Sequence, residues 1–115
     1  MKINVSRGEV IDRYNILQIK MQNTEDLELA NQFRTEYDAL TPIVDRIYAN
    51  LNDSEILQNA DKDLFDINLT IWNIENQLAE CEANETFNDD FIELSRARYT
   101  NNAERTEVKS LINSL

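Results

Sequence analysis

Between Leu57 and Cys81 the residues Leu57, Ala60, Leu64, Ile67, Ile71, Ile74, Leu78 and Cys81 fall at alternating steps of three and four. That rhythm keeps one apolar side chain per turn on a single helical face for more than three heptads, so it predicts a helix from about residue 55 to about residue 84. At 1.5 Å per residue such a helix is about 45 Å long, longer than a compact domain of this size is wide. The molecule should therefore be elongated. Phe65, Leu69 and Trp72 make a second stripe about 100° around from the first, so this helix needs cover on two sides. It is either the central helix of a bundle or one face of a dimer.

The rest of the chain agrees with helix. One glycine and one proline in 115 residues leave little material for the tight turns of a sandwich or barrel. Ser6-Arg7-Gly8-Glu9 has the form of a capping box and should start helix 1, whose stripe is Val10, Tyr14, Leu17 and Met21. Thr24 is the expected cap of helix 2, which carries Ala30, Phe33, Tyr37, Leu40, Val44, Ile47 and Leu51. Their phase runs straight through Pro42, which favours a kinked helix over a new start at Thr41-Pro42. Asp53 or Ser54 can cap helix 3, and Asn88 can cap helix 4. Thr100-Asn101-Asn102 is a candidate break in helix 4 before a last apolar patch of Val108, Leu111, Ile112 and Leu115. That patch should fray if it has nothing to cover. Fifteen asparagines make isolated helices weak, so burial must carry the fold.

Several chemistries are excluded by composition. Histidine is absent, which removes the usual general base near neutral pH, histidine-activated nucleophiles and most zinc sites. Cys81 has no cysteine or histidine partner and is expected to be a small core residue in a reducing, cytoplasmic setting. The start of the chain lacks the apolar run of a secretory signal. The longest unbroken apolar run is Ile47-Tyr48-Ala49, far short of the roughly 20 residues of a membrane span. A formal net charge of -11 argues against nucleic acid and membrane surfaces as partners.

That charge is unevenly spread. Residues 1–20 hold Lys2, Arg7, Arg13 and Lys20 against Glu9 and Asp12, a balance of +2. Residues 96–115 hold Arg96, Arg98, Arg105 and Lys109 against Glu104 and Glu107, again +2, which leaves -15 for the middle. If helix 4 is continuous, Arg98, Asn102, Arg105 and Lys109 form a cationic stripe. In one reading the basic terminal helices simply pack beside acidic central ones. In the other, Arg98, Arg105 and Lys20 hold a phosphate or carboxylate group, with Glu9, Asp12 or Glu75 as oxygen ligands for Mg²⁺.

Three segments carry a family resemblance: Ser6 to Asp12 with Ile16 to Lys20, then Ile71-Trp72-Asn73-Ile74-Glu75, then Phe91 to Asn102. Together they resemble a family of short helical proteins of unknown function from tailed phages and bacteria. The resemblance implies a helical fold, a phage or bacterial origin and a shared polar cluster of Glu9, Asp12, Lys20, Glu75, Arg98, Asn102 and Arg105. It assigns no activity.

The chain should thus form one all-α domain, an elongated antiparallel bundle with a long helix 2/helix 3 hairpin flanked by helices 1 and 4. The first functional expectation is a non-enzymatic interaction or regulatory module acting as a homodimer, through Phe65, Leu69 and Trp72 and through Leu111, Ile112 and Leu115. No resident cofactor is expected in that case. The alternative is a Mg²⁺-dependent enzyme or binder for a small phosphorylated or nucleotide-like ligand.

Overall fold

A computed structural model describes residues 5–115; Lys2, part of the N-terminal charge balance, lies outside them. Four helices follow one another, α1 (Arg7–Asn23), α2 (Leu27–Ala49), α3 (Ser54–Ala83) and α4 (Asp89–Ser114), with no strand among the described residues. They run antiparallel in an all-α bundle of 49 × 33 × 29 Å. Its radius of gyration of 16.2 Å exceeds the roughly 13 Å of a compact domain of this length. No helix among the described residues is long and apolar enough to cross a membrane.

Each start is fixed by a polar side chain that takes up backbone N–H groups the first turn cannot satisfy. Ser6 Oγ accepts from Glu9 N at 3.2 Å, Asp53 from Glu55 N, and Asn88 from Phe91 N. α2 is capped by Asp26, which accepts from Glu28 N and Leu29 N, whereas Thr24 closes α1 by donating its N–H to the Lys20 carbonyl. The expected Thr24 cap is thus displaced by two residues. α2 runs on through Pro42, which lies on an exposed side of the helix, where the backbone N–H its ring removes faces no packed neighbour.

α4 is also continuous. Thr100, Asn101, Asn102 and Thr106 turn their side chains back onto the carbonyls four residues earlier, at 2.8–3.1 Å. The polar run therefore satisfies itself on the helix surface and does not end it. α3 ends at Asn84 with Thr86 N donating to Cys81 O and Glu85 N to Glu82 O, an arrangement that puts Glu85 at φ 54°.

The core lies at one end, the base, where the start of α1, the end of α2, the start of α3 and the end of α4 meet. Val10, Ile11, Val44, Ile47, Leu57, Ala60, Leu64 and Ile112 are buried there, with Tyr14, Leu40, Tyr48, Leu51, Val108 and Leu115 packed around them. α3 and α4 form the closest pair and α1 and α2 the next, while α1 also touches α3 and α4. α2 and α3 are joined by the turn at 50–53 and meet chiefly near it, with Tyr48 OH donating to Asp61 Oδ2 at 2.6 Å. α1 and α3 thus each touch all three other helices, and the buried residues of α1, Gly8, Val10, Ile11, Asp12, Asn15, Leu17 and Ile19, are spread over more than one of its faces.

Candidate functional site

One face of α4 carries Arg98, Arg105, Lys109 and Asn113 at steps of seven, four and four, and each residue reaches a different partner on α1 or α3. Arg98 Nε is 2.6 Å from Glu75 Oε1 on α3. Arg105 forks onto Asp12 of α1, donating from Nε to Oδ1 at 2.9 Å and from Nη2 to Oδ2 at 2.5 Å. Lys109 Nζ is 2.5 Å from Glu9 Oε1 and 3.9 Å from Asp12 Oδ2. Asn113 Oδ1 accepts the Gly8 backbone N–H at 2.7 Å, one of the donors the first turn of α1 leaves free.

Gly8 is what allows the crossing. A Cβ at that position would stand 2.5 Å from the Lys109 carbonyl oxygen and 3.0 Å from Asn113 Oδ1. The chain's only glycine is thus placed where α1 and α4 approach most closely.

Asp12 is the centre of the ladder. Its side chain is 4% exposed and accepts a further hydrogen bond from Asn68 Nδ2 of α3 at 2.9 Å, so three helices converge on one carboxylate. A buried charge is tolerable only when paired and fully hydrogen-bonded, and this one is. The bond to Asp12 raises the Arg105 pKa above its ordinary value against the opposing effect of burial. No buried side-chain nitrogen or oxygen among the described residues lacks a partner.

Five of the seven residues proposed as a polar cluster join this ladder: Glu9, Asp12, Glu75, Arg98 and Arg105. Lys20 does not, because it lies eight residues beyond Asp12, about 80° around α1. Its Nζ sits 5.3 Å from the centre of the Phe33 ring on α2. Asn102 stays on its own helix, donating to the Arg98 carbonyl. Sequence reasoning missed Asn68, Lys109 as a partner of Glu9, and Asn113. Lys109 was visible in the stripe, whereas Asn68 and Asn113 carried no signal among fifteen asparagines.

The ladder's chemistry is that of closed ion pairs. Each carboxylate faces a cation, so a divalent metal at Glu9, Asp12 or Glu75, or an anion at Arg98 or Arg105, would have to displace a partner already in place. Among the described residues no three carboxylate or thiol side chains gather as a metal requires. Beneath the ladder lies a cleft of about 140 Å³, walled by Ile16 and Ile19 of α1, Asn68, Ile71, Trp72 and Glu75 of α3, and Arg105 of α4.

The proposed interface residues divide. Ile112 is 1% exposed in the core, and Leu115 packs against it, so both spend their apolar surface within the chain. That contact also explains why the C-terminal patch is helical to Ser114. Phe65 and Trp72 are half-buried along α1, while Leu69 and Leu111 are exposed. An open apolar surface lies elsewhere, on α4: Phe91, Ile92, Ser95 and Tyr99 line a shallow groove, with Tyr99 80% exposed. Phe87, edge-on to Phe91 at 5.1 Å, extends it past the helix start.

A family model described as a family of unknown function (DUF6165) matches residues 1–115. No curated protein and no solved structure matches the chain.

Proposed function

The chain belongs to this family of unknown function, and from that premise we propose that it is a non-catalytic interaction module that pairs with a second copy of itself through α4. The observation that carries the reading is the open stripe of Phe91, Ile92, Ser95 and Tyr99. Exposed apolar surface of this kind, bordered by charge, marks contact sites.

The stripe suits a twofold axis. Ser95 is its midpoint and small, so two helices crossing there antiparallel could approach closely, each Phe91 and Ile92 meeting the other's Tyr99. One flank of the stripe carries Asp89 before the midpoint and Arg96 after it, both exposed and neither in an ion pair among the described residues. In an antiparallel pair, Arg96 of each copy would lie on the same flank as Asp89 of the other. A surface that is its own complement requires no second kind of chain.

Sedimentation equilibrium tests this. The wild-type chain is expected to be dimeric at micromolar concentration. Arg96→Glu and Asp89→Arg, on exposed positions, should each weaken the dimer at least about tenfold by setting like charges together. The double variant restores opposite pairs and should recover it. A wild-type monomer at hundreds of micromolar, or a double variant as weak as the singles, would overturn the proposal.

A further inference from the structure

The cleft beneath the ladder is independent of the α4 stripe and has the makings of a small-molecule site. Its volume of about 140 Å³ is close to the roughly 150 Å³ of an apolar cavity that holds benzene. Ile16, Ile19, Ile71 and Trp72 supply apolar walls. Polarity is confined to one side, where Asn68, Glu75 and Arg105 stand.

The hydrogen-bond arithmetic on that side sets the ligand's chemistry. Asn68 must donate from Nδ2 because its partner is the Asp12 carboxylate, which only accepts, and this fixes which way the amide points. Asn68 Oδ1 is left as an acceptor with no donor from the described residues, and since no buried side-chain oxygen lacks a partner, it is reachable from outside. Glu75, on the same side, is already met by Arg98 through Oε1. One open acceptor at an apolar cleft of one-ring size calls for a ring that brings a donor.

We propose that this cleft binds a small monocyclic aromatic molecule carrying one O–H or N–H donor, stacked on or against Trp72 and donating to Asn68 Oδ1. A ring without the donor gains only the apolar walls. A ring carrying only a carboxylate brings no donor for Asn68 Oδ1.

Trp72 is the chain's only tryptophan, so its indole N–H gives a single resonance that reports on the cleft directly. Phenol, toluene and benzoate are the probes. Phenol is expected to move that resonance saturably in the millimolar range, the affinity open to a ligand of about seven heavy atoms. It should bind about three- to tenfold more tightly than toluene, the worth of one hydrogen bond, and benzoate should bind more weakly than phenol. Ile16→Phe fills the cleft from a half-buried position and should abolish the phenol response while circular dichroism stays unchanged. A Trp72 resonance that phenol leaves in place, toluene or benzoate binding as tightly as phenol, or a response that survives in a folded Ile16→Phe would each overturn the proposal.

Discussion

The two ends of the bundle are built differently from the same kind of helix. At the base four helices share a core, and Leu57, Leu64, Ile11 and Ile112 are sealed to 1% exposure or less. At the far end α3 and α4 continue as a two-helix hairpin around residues 84–88, where Leu78 is 9% exposed and Phe87, Ile92 and Tyr99 lie open. The apolar stripe of α3 is equally regular along its length, so periodicity alone does not set burial; the number of neighbours does. The polar investment follows the same division. The base and middle hold the carboxylate on which three helices converge, while the tip has only helix caps and a left-handed Glu85.

The hardest test of this contrast is Arg105→Ala. It leaves Asp12 charged and buried against Asn68 and Lys109 alone, and should cost about 3–5 kcal/mol in urea unfolding. Replacing both partners together, Asp12→Leu with Arg105→Met, should cost far less than the single change, because no charge is then stranded.

Next in size is a pair of leucines. Leu64→Ala at the base should cost about 2–5 kcal/mol, whereas Leu94→Ala, half-buried on the two-helix arm, should cost less than half as much. Equal losses would mean that the arm is as well packed as the base.

Two glycine exchanges of opposite sign come third. Gly8→Ala forces a Cβ against the Lys109 carbonyl and should destabilise by about 1–3 kcal/mol. Glu85→Gly relieves a left-handed residue at the tip and should stabilise by about 1 kcal/mol. Thermal midpoints read both.

The smallest effect is alkaline. Burial first, and then the hydrogen bond to Asp61, pushes the Tyr48 hydroxyl up; burial and the neighbouring Tyr14 push Tyr37 up to about 12. Both stay neutral in the fold at a pH where tyrosines of the unfolded chain ionise, about 10. Stability should therefore hold below about pH 10 and fall as pH rises beyond it. Tyr48→Phe, near the base, should remove more of that slope than Tyr37→Phe.

Much of the fold could be read from residues. The limits of α3 followed from an unbroken rhythm and the cap at Asp53, and the stripe Arg98, Arg105, Lys109 followed from spacing alone. What spacing could not supply was the rotation of one helix about its axis relative to another. Asp12 and Asn15 are polar and invite an exposed placement, yet both are buried because α1 has neighbours on three sides. Lys20 was grouped with Arg105 on charge, but its angle on α1 turns it to Phe33. The continuity of α4 depended on whether Asn101 and Asn102 bond locally backward or cap forward, a choice between two short-range geometries that the same letters permit.

The pairing of α1 with α4 also dictates an order of assembly. Gly8 and Asn113 are 105 positions apart, and Asp12 and Arg105 are 93 apart, among the longest closures the chain can make. The α1/α2 pair, joined across residues 24–26, and the α3/α4 pair, joined across residues 84–88, close over short loops, which cost less entropy and close sooner than the α1–α4 contact. Until they dock, Asp12 stays hydrated at no cost; its desolvation and its rescue by Arg105 fall in the same late step. The ladder is thus a latch that fastens late, and it ties the first of the four helices to the fourth.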